Sequence, residues 1–464
     1  MTTTLVVNLM PFQLLVNKKK SRQGDTILQF INSLTFKTFI LLLYSLLFYS
    51  KSYAQLLDLS IQSNAAILVD EKSGNILYQK NAFTPHYPAS ITKIATALYA
   101  LHKKSDYLDE IIAADQEAIG SISSQEKKRR NYKTPSYWIE HGSTHIGIKK
   151  GEELSLRVLL YGMLIESGND AANVIAHYVA GSIPKFMDEL NAYIKTLGCQ
   201  RTHFTNPHGL HHPEHITCAY DMILITREAL KSPIFREIIS TTNYRRPQTN
   251  KQPSVLWSQS NHLLHKGSQH YYPYAIGVKT GYTSHAKHCF VGAAEKSDRK
   301  LICVLLGAPE LKDKFNDAIT LFNAAFNEKK VTRVLMKQSE RQFTRSIPRG
   351  QQAISAALTT DISITYYPTE EPEIKAELRW NEKVVPPVEK GSIVGEVCII
   401  NIKEDKILNS YPIVAVENVQ PTIWFQLQQF WQNLNLSLFS IFAYIGIFLS
   451  SLFAFLYIKG RTRV

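Results

Sequence analysis

Cysteine is scarce: five in 464 residues are too few for a disulfide-built scaffold, and the odd number leaves at least one thiol unpaired or paired between molecules. Glycine (21) and proline (19) are also few. With 45% apolar and 20% charged residues, this excludes a disordered or collagen-like chain. Acidic residues are outnumbered, 39 against 52 Lys plus Arg, so the formal charge is +13 and favours an anionic partner. No long run of Lys and Arg interleaved with aromatics is present, which argues against nucleic acid as that partner. No internal repeat is found. At roughly 150 residues per domain, the length predicts two or three domains.

Both ends carry long apolar runs. Phe36 to Tyr49 is largely apolar with Lys37 its only charge, follows Lys18, Lys19, Lys20 and Arg22, and precedes small residues at Ser52 and Ala54. A positive region, an apolar core and a small-residue cut site make a secretory leader over 1–54, with an uncleaved anchor as the alternative. Leu436 to Ile458 has no charge over 23 residues and is followed by Lys459, Arg461 and Arg463. At about 1.5 Å per residue it reaches across a bilayer core of about 30 Å, with its basic tail inside. Trp424, Leu427, Trp431 and Leu434 precede it at helical spacing. The expected protein is therefore an exported body on the extracytoplasmic (periplasmic) face of the cell membrane, held by one C-terminal transmembrane helix within residues 421–464.

Between the ends, Ala65 to Lys80 reads as a hairpin around Glu71–Asn75. Helical periodicity marks Ser90–Leu101, Leu154–Ala180, Ile183–Leu197, Tyr220–Lys231 and Asp317–Phe326. Ala275–Val278, Cys289–Ala294 and Leu301–Leu306 are strand-like, so 55–330 reads as a mixed α/β (α+β) domain. Residues 105–150 are polar and include Lys127, Lys128, Arg129 and Arg130, which read as a solvated loop, with a docking patch for acidic polymer or lipid as the alternative. Alternation in Asp361–Tyr366 and Ile393–Ile402 predicts a small all-β domain over 331–420.

Three short motifs occur in order: Ser90-Ile91-Thr92-Lys93 at a helix start, Ser167-Gly168-Asn169 within a helical stretch, and Lys279-Thr280-Gly281 at a strand end. Each is weak alone. Ser-x-x-Lys recurs at Ser124, Ser182, Ser284 and Ser297, and Lys72–Asn75 mimics the other two. Context selects the first set, because Ser90 and Lys93 project from one turn to the same side ahead of an apolar helical face. A serine hydroxyl needs a neighbouring base, and Lys93 serves if burial and a nearby cation such as Lys279 keep it neutral. Ser167 can pass a proton to a leaving amine, and Asn169 can hold a substrate amide. Lys279 and Thr280 can bind a terminal carboxylate, and Gly281 lets substrate lie close along the strand.

The set, with Pro88-Ala89 before Ser90, Leu159-Leu160-Tyr161-Gly162, Asp170-Ala171-Ala172, Asn206-Pro207-His208-Gly209-Leu210 and Tyr282-Thr283, resembles the low-molecular-mass penicillin-binding proteins, the D-alanyl-D-alanine carboxypeptidase family. The resemblance covers about residues 60–420. It implies the penicillin-binding/serine β-lactamase-like transpeptidase fold, and Ser90 as acyl-ester nucleophile, with Lys93 as its base, Ser167 as proton relay and Asn169 beside them. It further implies substrate contacts at Lys279, Thr280, Gly281 and Tyr282, with an oxyanion hole from the backbone N–H groups of Ser90 and Tyr282. The implied activity removes the terminal D-Ala from peptidoglycan stem pentapeptides, and β-lactams would acylate the same serine. Neither metal nor cofactor is expected, and a homodimer is left open. The basic stretch 121–140 and Ala286-Lys287-His288 depart from the family pattern and bear on substrate preference.

Three rival readings use the same residues: a DD-endopeptidase, a β-lactamase-like hydrolase, and a catalytically silent wall-binding protein. A Glu-x-x-Leu-Asn segment after the second motif is absent, which disfavours the lactamase. His203, His208, His211, His212, His215 and Glu214 cluster in sequence, but Gly209 and Pro213 interrupt any helical face on which they could converge on a metal.

Overall fold

The computed structural model describes residues 55–338, 340, 342–433 and 438–461. The expected leader, 1–54, lies outside them. The chain forms two compact units. One takes residues 55–335 together with 363–372, and the other takes 336–362 and 373 onward. Arg299, nearly buried, pairs with Glu328 at 3.2 Å and with Glu370. Thr369 donates its backbone N–H to Glu328 at 2.8 Å, which ties 368–370 to the first unit.

The first unit is built on one antiparallel sheet. Strands β1 (Ala65–Asp70) and β2 (Ile76–Lys80) form the expected hairpin, with the Asp70 carboxylate accepting from Ser73 N–H at 2.7 Å in its turn. Helices follow: α1 (Lys93–Lys104), α2 (Ser124–Arg129), α3 (Leu156–Leu164), α4 (Asn169–Ala180), α5 (Ile183–Thr196), α6 (Ala219–Ala229) and α7 (Pro233–Ser240). Strands β3 (Ala275–Thr283), β4 (Lys287–Lys296) and β5 (Arg299–Ala308) complete the sheet in the order β2-β1-β5-β4-β3, and α8 (Leu311–Phe326) closes the unit.

Both faces of the sheet are covered, which explains why its strands read as continuous apolar runs. Ala65, Ile67 and Val69 pack with the helical layer around Ile94, Leu159 and Ile175, whereas Ala66 and Leu68 pack with Phe315 and Phe322 of α8. This is the period of two expected of a strand. The helix predicted from Asp317 begins six residues earlier, where Glu310 and Asp313 form a reciprocal capping box. The stretch Leu154–Ala180 is not one helix: it breaks between α3 and α4, with Ser167 at φ 62 and Gly168 capping the second. All five cysteines are free and buried.

The second unit contains β6 (Gln342–Arg345), β7 (Ile354–Leu358), β8 (Ile374–Trp380), β9 (Ile393–Asn401) and β10 (Lys406–Ala415). They form an antiparallel sheet in the order β6-β7-β10-β9-β8. Helices α9 (Ile423–Asn433) and α10 (Leu438–Arg461) follow. The expected transmembrane span, 436–458, begins outside the described residues, and side chains in α10 are described only from Ser440 to Leu456. Among the described residues no helix is long and apolar enough to cross a membrane.

Candidate active site

A single 3-10 turn, Ala89–Thr92, leads into α1. Residues three apart eclipse in such a turn, so Lys93 lies over Ser90, and its Nζ is 2.9 Å from Ser90 Oγ. Lys93 is fully buried, and its Nζ also donates to Asn169 Oδ1 at 2.7 Å and to the backbone carbonyl of His208 at 2.7 Å. Burial, then the charge of Lys279, pushes the Lys93 amine well below the ordinary lysine range, against a smaller opposing pull from Asp170. A neutral amine keeps two N–H groups and one lone pair. The two fixed acceptors take the N–H groups, which leaves the lone pair for the Ser90 hydroxyl proton.

Asn169 is the first residue of α4 and its Nδ2 donates to Ser143 Oγ at 3.1 Å. Next to it, the buried Asp170 carboxylate accepts from the N–H groups of Ile146 (3.0 Å) and Ile148 (2.9 Å). The loop 143–148 is thereby bolted to the start of the helix. Ser167 sits at the break before α4 and makes no direct hydrogen bond to Ser90 or Lys93 among the described residues. Its left-handed backbone is the strained feature there.

Strand β3 is the edge of the sheet and passes against the serine turn. A Cβ on Gly281 would lie 2.9 Å from Ser90 N and 3.2 Å from Ala89 Cβ, so only a residue without a side chain allows this approach. Lys279 is fully buried and donates to the Thr280 carbonyl at 3.1 Å, and Thr280 Oγ1 is 2.8 Å from Ser260 Oγ. Burial, followed by the charge of Lys314 and opposed by Glu166, brings the Lys279 amine down to about 7. Tyr282 is exposed, with its ring 4.5 Å from that of His288.

The loop 206–210 supplies the third partner of Lys93. Asn206 braces it by accepting from Gly209 N–H (2.7 Å) and donating to the Leu210 carbonyl (3.0 Å). Thr96 Oγ1 donates to the Pro207 carbonyl at 2.6 Å. His208 is buried; its Nδ1 accepts from Leu210 N–H, so Nε2 carries the proton and donates to the Tyr137 carbonyl at 3.0 Å. His215 accepts from Thr205 N–H and reaches Thr92 Oγ1 at 2.9 Å. Two of the clustered histidines are therefore engaged in holding this loop and the serine turn. Among the described residues, Asp115, Glu117 and His177 bring metal-ligand atoms within 4.8 Å of one another, and none of these belongs to the Ser90 constellation.

The structure thus joins Ser90, Lys93 and Asn169 directly, and sets Gly281 against the serine turn. Nothing in the sequence singles out Ser143, Ser260, the His208 carbonyl or Lys314. Lys314 carries no signal, since a single lysine on an amphipathic helix reads as a surface charge, yet it is 3% exposed.

Residues 51–310 match the family model described as D-alanyl-D-alanine carboxypeptidase. The chain is 30% identical over 366 residues to the D-alanyl-D-alanine carboxypeptidase DacF of Bacillus subtilis, covering 78% of this chain and 87% of that protein. Penicillin binding protein 5 from Haemophilus influenzae superposes with a TM-score of 0.53 at 25% identity, over 79% of this chain and all of that one. The carboxypeptidase DacD from Francisella tularensis gives 0.51 at 25% identity, over 80% and 97%.

Proposed function

The chain belongs to the D-alanyl-D-alanine carboxypeptidase family, and from this premise we infer the part each residue plays in a serine-type D-Ala-D-Ala carboxypeptidase. Ser90 Oγ attacks the carbonyl carbon of the penultimate D-Ala of a peptidoglycan stem peptide while Lys93 Nζ takes its proton. The oxyanion that forms faces the backbone N–H groups of Ser90 and Tyr282. The C–N bond breaks, the departing D-Ala nitrogen receives a proton through Ser167, and the acyl chain stays as an ester on Ser90. Water then attacks the ester with Lys93 as base and frees the enzyme. Lys279 and Thr280 hold the terminal carboxylate, and Asn169 holds a substrate amide. A β-lactam presents the same kind of carbonyl and would acylate the same oxygen.

The observation that carries this reading is the buried Lys93 amine, held by Asn169 and His208 with its remaining direction on Ser90 Oγ. The test is incubation with a stem pentapeptide and, separately, with a labelled penicillin. Release of one D-Ala per peptide and a penicillin adduct that digestion and mass spectrometry locate on Ser90 are expected. An adduct elsewhere, or no D-Ala, overturns the assignment.

The body is proposed to work on the extracytoplasmic face of the membrane, held by the C-terminal segment. The uncharged run 436–458 and its basic tail support this. So do Ile423, Trp424, Leu427 and Trp431, exposed at helical spacing on α9 and suited to the membrane interface. A chain ending at residue 420 should move from the membrane fraction to the soluble fraction with its penicillin capture intact. Retention on the membrane would remove the anchor from this segment.

A further inference from the structure

A cavity of about 280 Å³ opens beside Tyr282 and Ser143, and nothing in the reaction above uses it. It is bordered by α2, by residues 140–143, by Leu210 and His211, and by residues 282–285 after the Lys-Thr-Gly strand. The basic run of the sequence ends here, and the structure sorts its four cations. Lys127 is buried; its Nζ donates to Glu140 Oε1 at 2.8 Å and to the His211 carbonyl at 2.9 Å. The other Glu140 oxygen accepts from Ser124 Oγ at 2.8 Å. Arg129 and Arg130 both pair with Glu126. Lys128 remains exposed at the cavity, and its ammonium has no ion pair or hydrogen bond among the described residues.

The other wall is aromatic. The His211 and His285 rings stack 3.8 Å apart with 4° between their planes, and Tyr132 meets His211 edge-on. Burial, then the neighbouring His285, brings the His211 imidazole down to about 4. The Lys127–Glu140 pair cancels itself, which leaves Lys128 as the exposed, unpaired ammonium at the cavity.

The sheet fixes what reaches it. An extended peptide that adds to the free edge of β3 with its carboxylate at Lys279 and Thr280 has its scissile carbonyl at Ser90. At about 3.3 Å per residue, the next residue toward its N-terminus comes level with 282–284, beside the cavity. We propose that this cavity receives the side chain of the residue preceding D-Ala-D-Ala, and that Lys128 selects a side chain ending in a carboxylate over one ending in an ammonium. The proposal rests on the carboxypeptidase reading.

The test compares three peptides, N-acetyl-X-D-Ala-D-Ala with X as glutamate, norleucine or lysine, on the full chain in detergent. D-Ala release is expected with kcat/KM for glutamate about tenfold above lysine and norleucine between them, shrinking as salt rises. Lys128→Gln should bring the glutamate-to-lysine ratio near one, and Lys128→Glu should invert it. Because the ratio is taken within one protein, a partial loss of folded enzyme cancels. Equal rates in the natural protein, or a ratio unmoved in Lys128→Glu, overturn the proposal. No release from any of the three peptides would overturn the carboxypeptidase reading, and this proposal with it.

Discussion

Lys93→Ala is expected to slow acylation of Ser90 by about a thousandfold or more, the scale of a lost general base acting on a nucleophile that is weak without it. The substitution also strands two buried acceptors, Asn169 Oδ1 and the His208 carbonyl, which lose their shared donor. Each such orphan costs about 1–3 kcal/mol, so the variant should also melt earlier. Lys93→Arg does not rescue, because guanidinium keeps its charge and offers no lone pair. The pH profile separates these effects. In the natural enzyme the acylation rate climbs with pH as Lys93 loses its proton, over a range well below that of an ordinary lysine. It should fall again as Lys279, brought down to about 7, loses the charge proposed to grip the carboxylate, and a bound carboxylate should move that fall upward. Lys93→Ala should lose the rising limb and keep the falling one. Stopped-flow acylation by a chromogenic β-lactam across pH reads both limbs, and a rising limb that survives in the variant would assign the base to another group.

Gly209→Ala is expected to be nearly as damaging, although it changes no functional group. A Cβ there would lie 1.9 Å from the Ala89 carbonyl oxygen and 2.4 Å from its carbon, and the residue has φ +93. The obstacle is backbone on the turn that carries Ser90, so no side chain can swing aside. Either the loop 206–210 retreats and takes the His208 carbonyl from Lys93, or the serine turn shifts against Gly281. A loss of about a hundredfold in acylation and about 3 kcal/mol of stability is expected. Gly181→Ala is the control: its φ is +81 at the end of α4, but nothing lies within 4 Å. It should cost about 1 kcal/mol through strain alone and leave acylation as it was. Acylation rates and thermal melts of the two variants, side by side, decide whether contact or strain dominates at Gly209.

The strands between 275 and 308 are legible in the sequence because polar turns part short apolar runs. Their pairing is set by the hairpin registers that place Lys279 opposite Val291 and Gly281 opposite Cys289. The Ser90–Lys93 relation is equally legible, since three-residue spacing on a helical turn fixes it. Periodicity does not encode an interruption: apolar residues keep their helical rhythm from Leu154 to Ala180, yet the chain turns left-handed at Ser167. Composition misleads at Lys127, which belongs to a run that reads as solvated but is 1% exposed over Glu140. The decisive partner there is thirteen residues away and visible only once folded. Partners such as Ser143, Ser260 and the His208 carbonyl are ordinary polar groups, given meaning by what faces them.

The burial of every thiol has a consequence for maturation. Cys218, Cys289, Cys303 and Cys398 expose no surface and Cys199 very little, and burial raises the Cys218 and Cys289 thiols to about 11. The thiolate is the species that attacks a disulfide, and here it is both rare and out of reach. Once folded, the polypeptide offers an oxidant or a mixed-disulfide catalyst nothing to grip, so the same native state serves a reducing or an oxidising compartment without any covalent step between them.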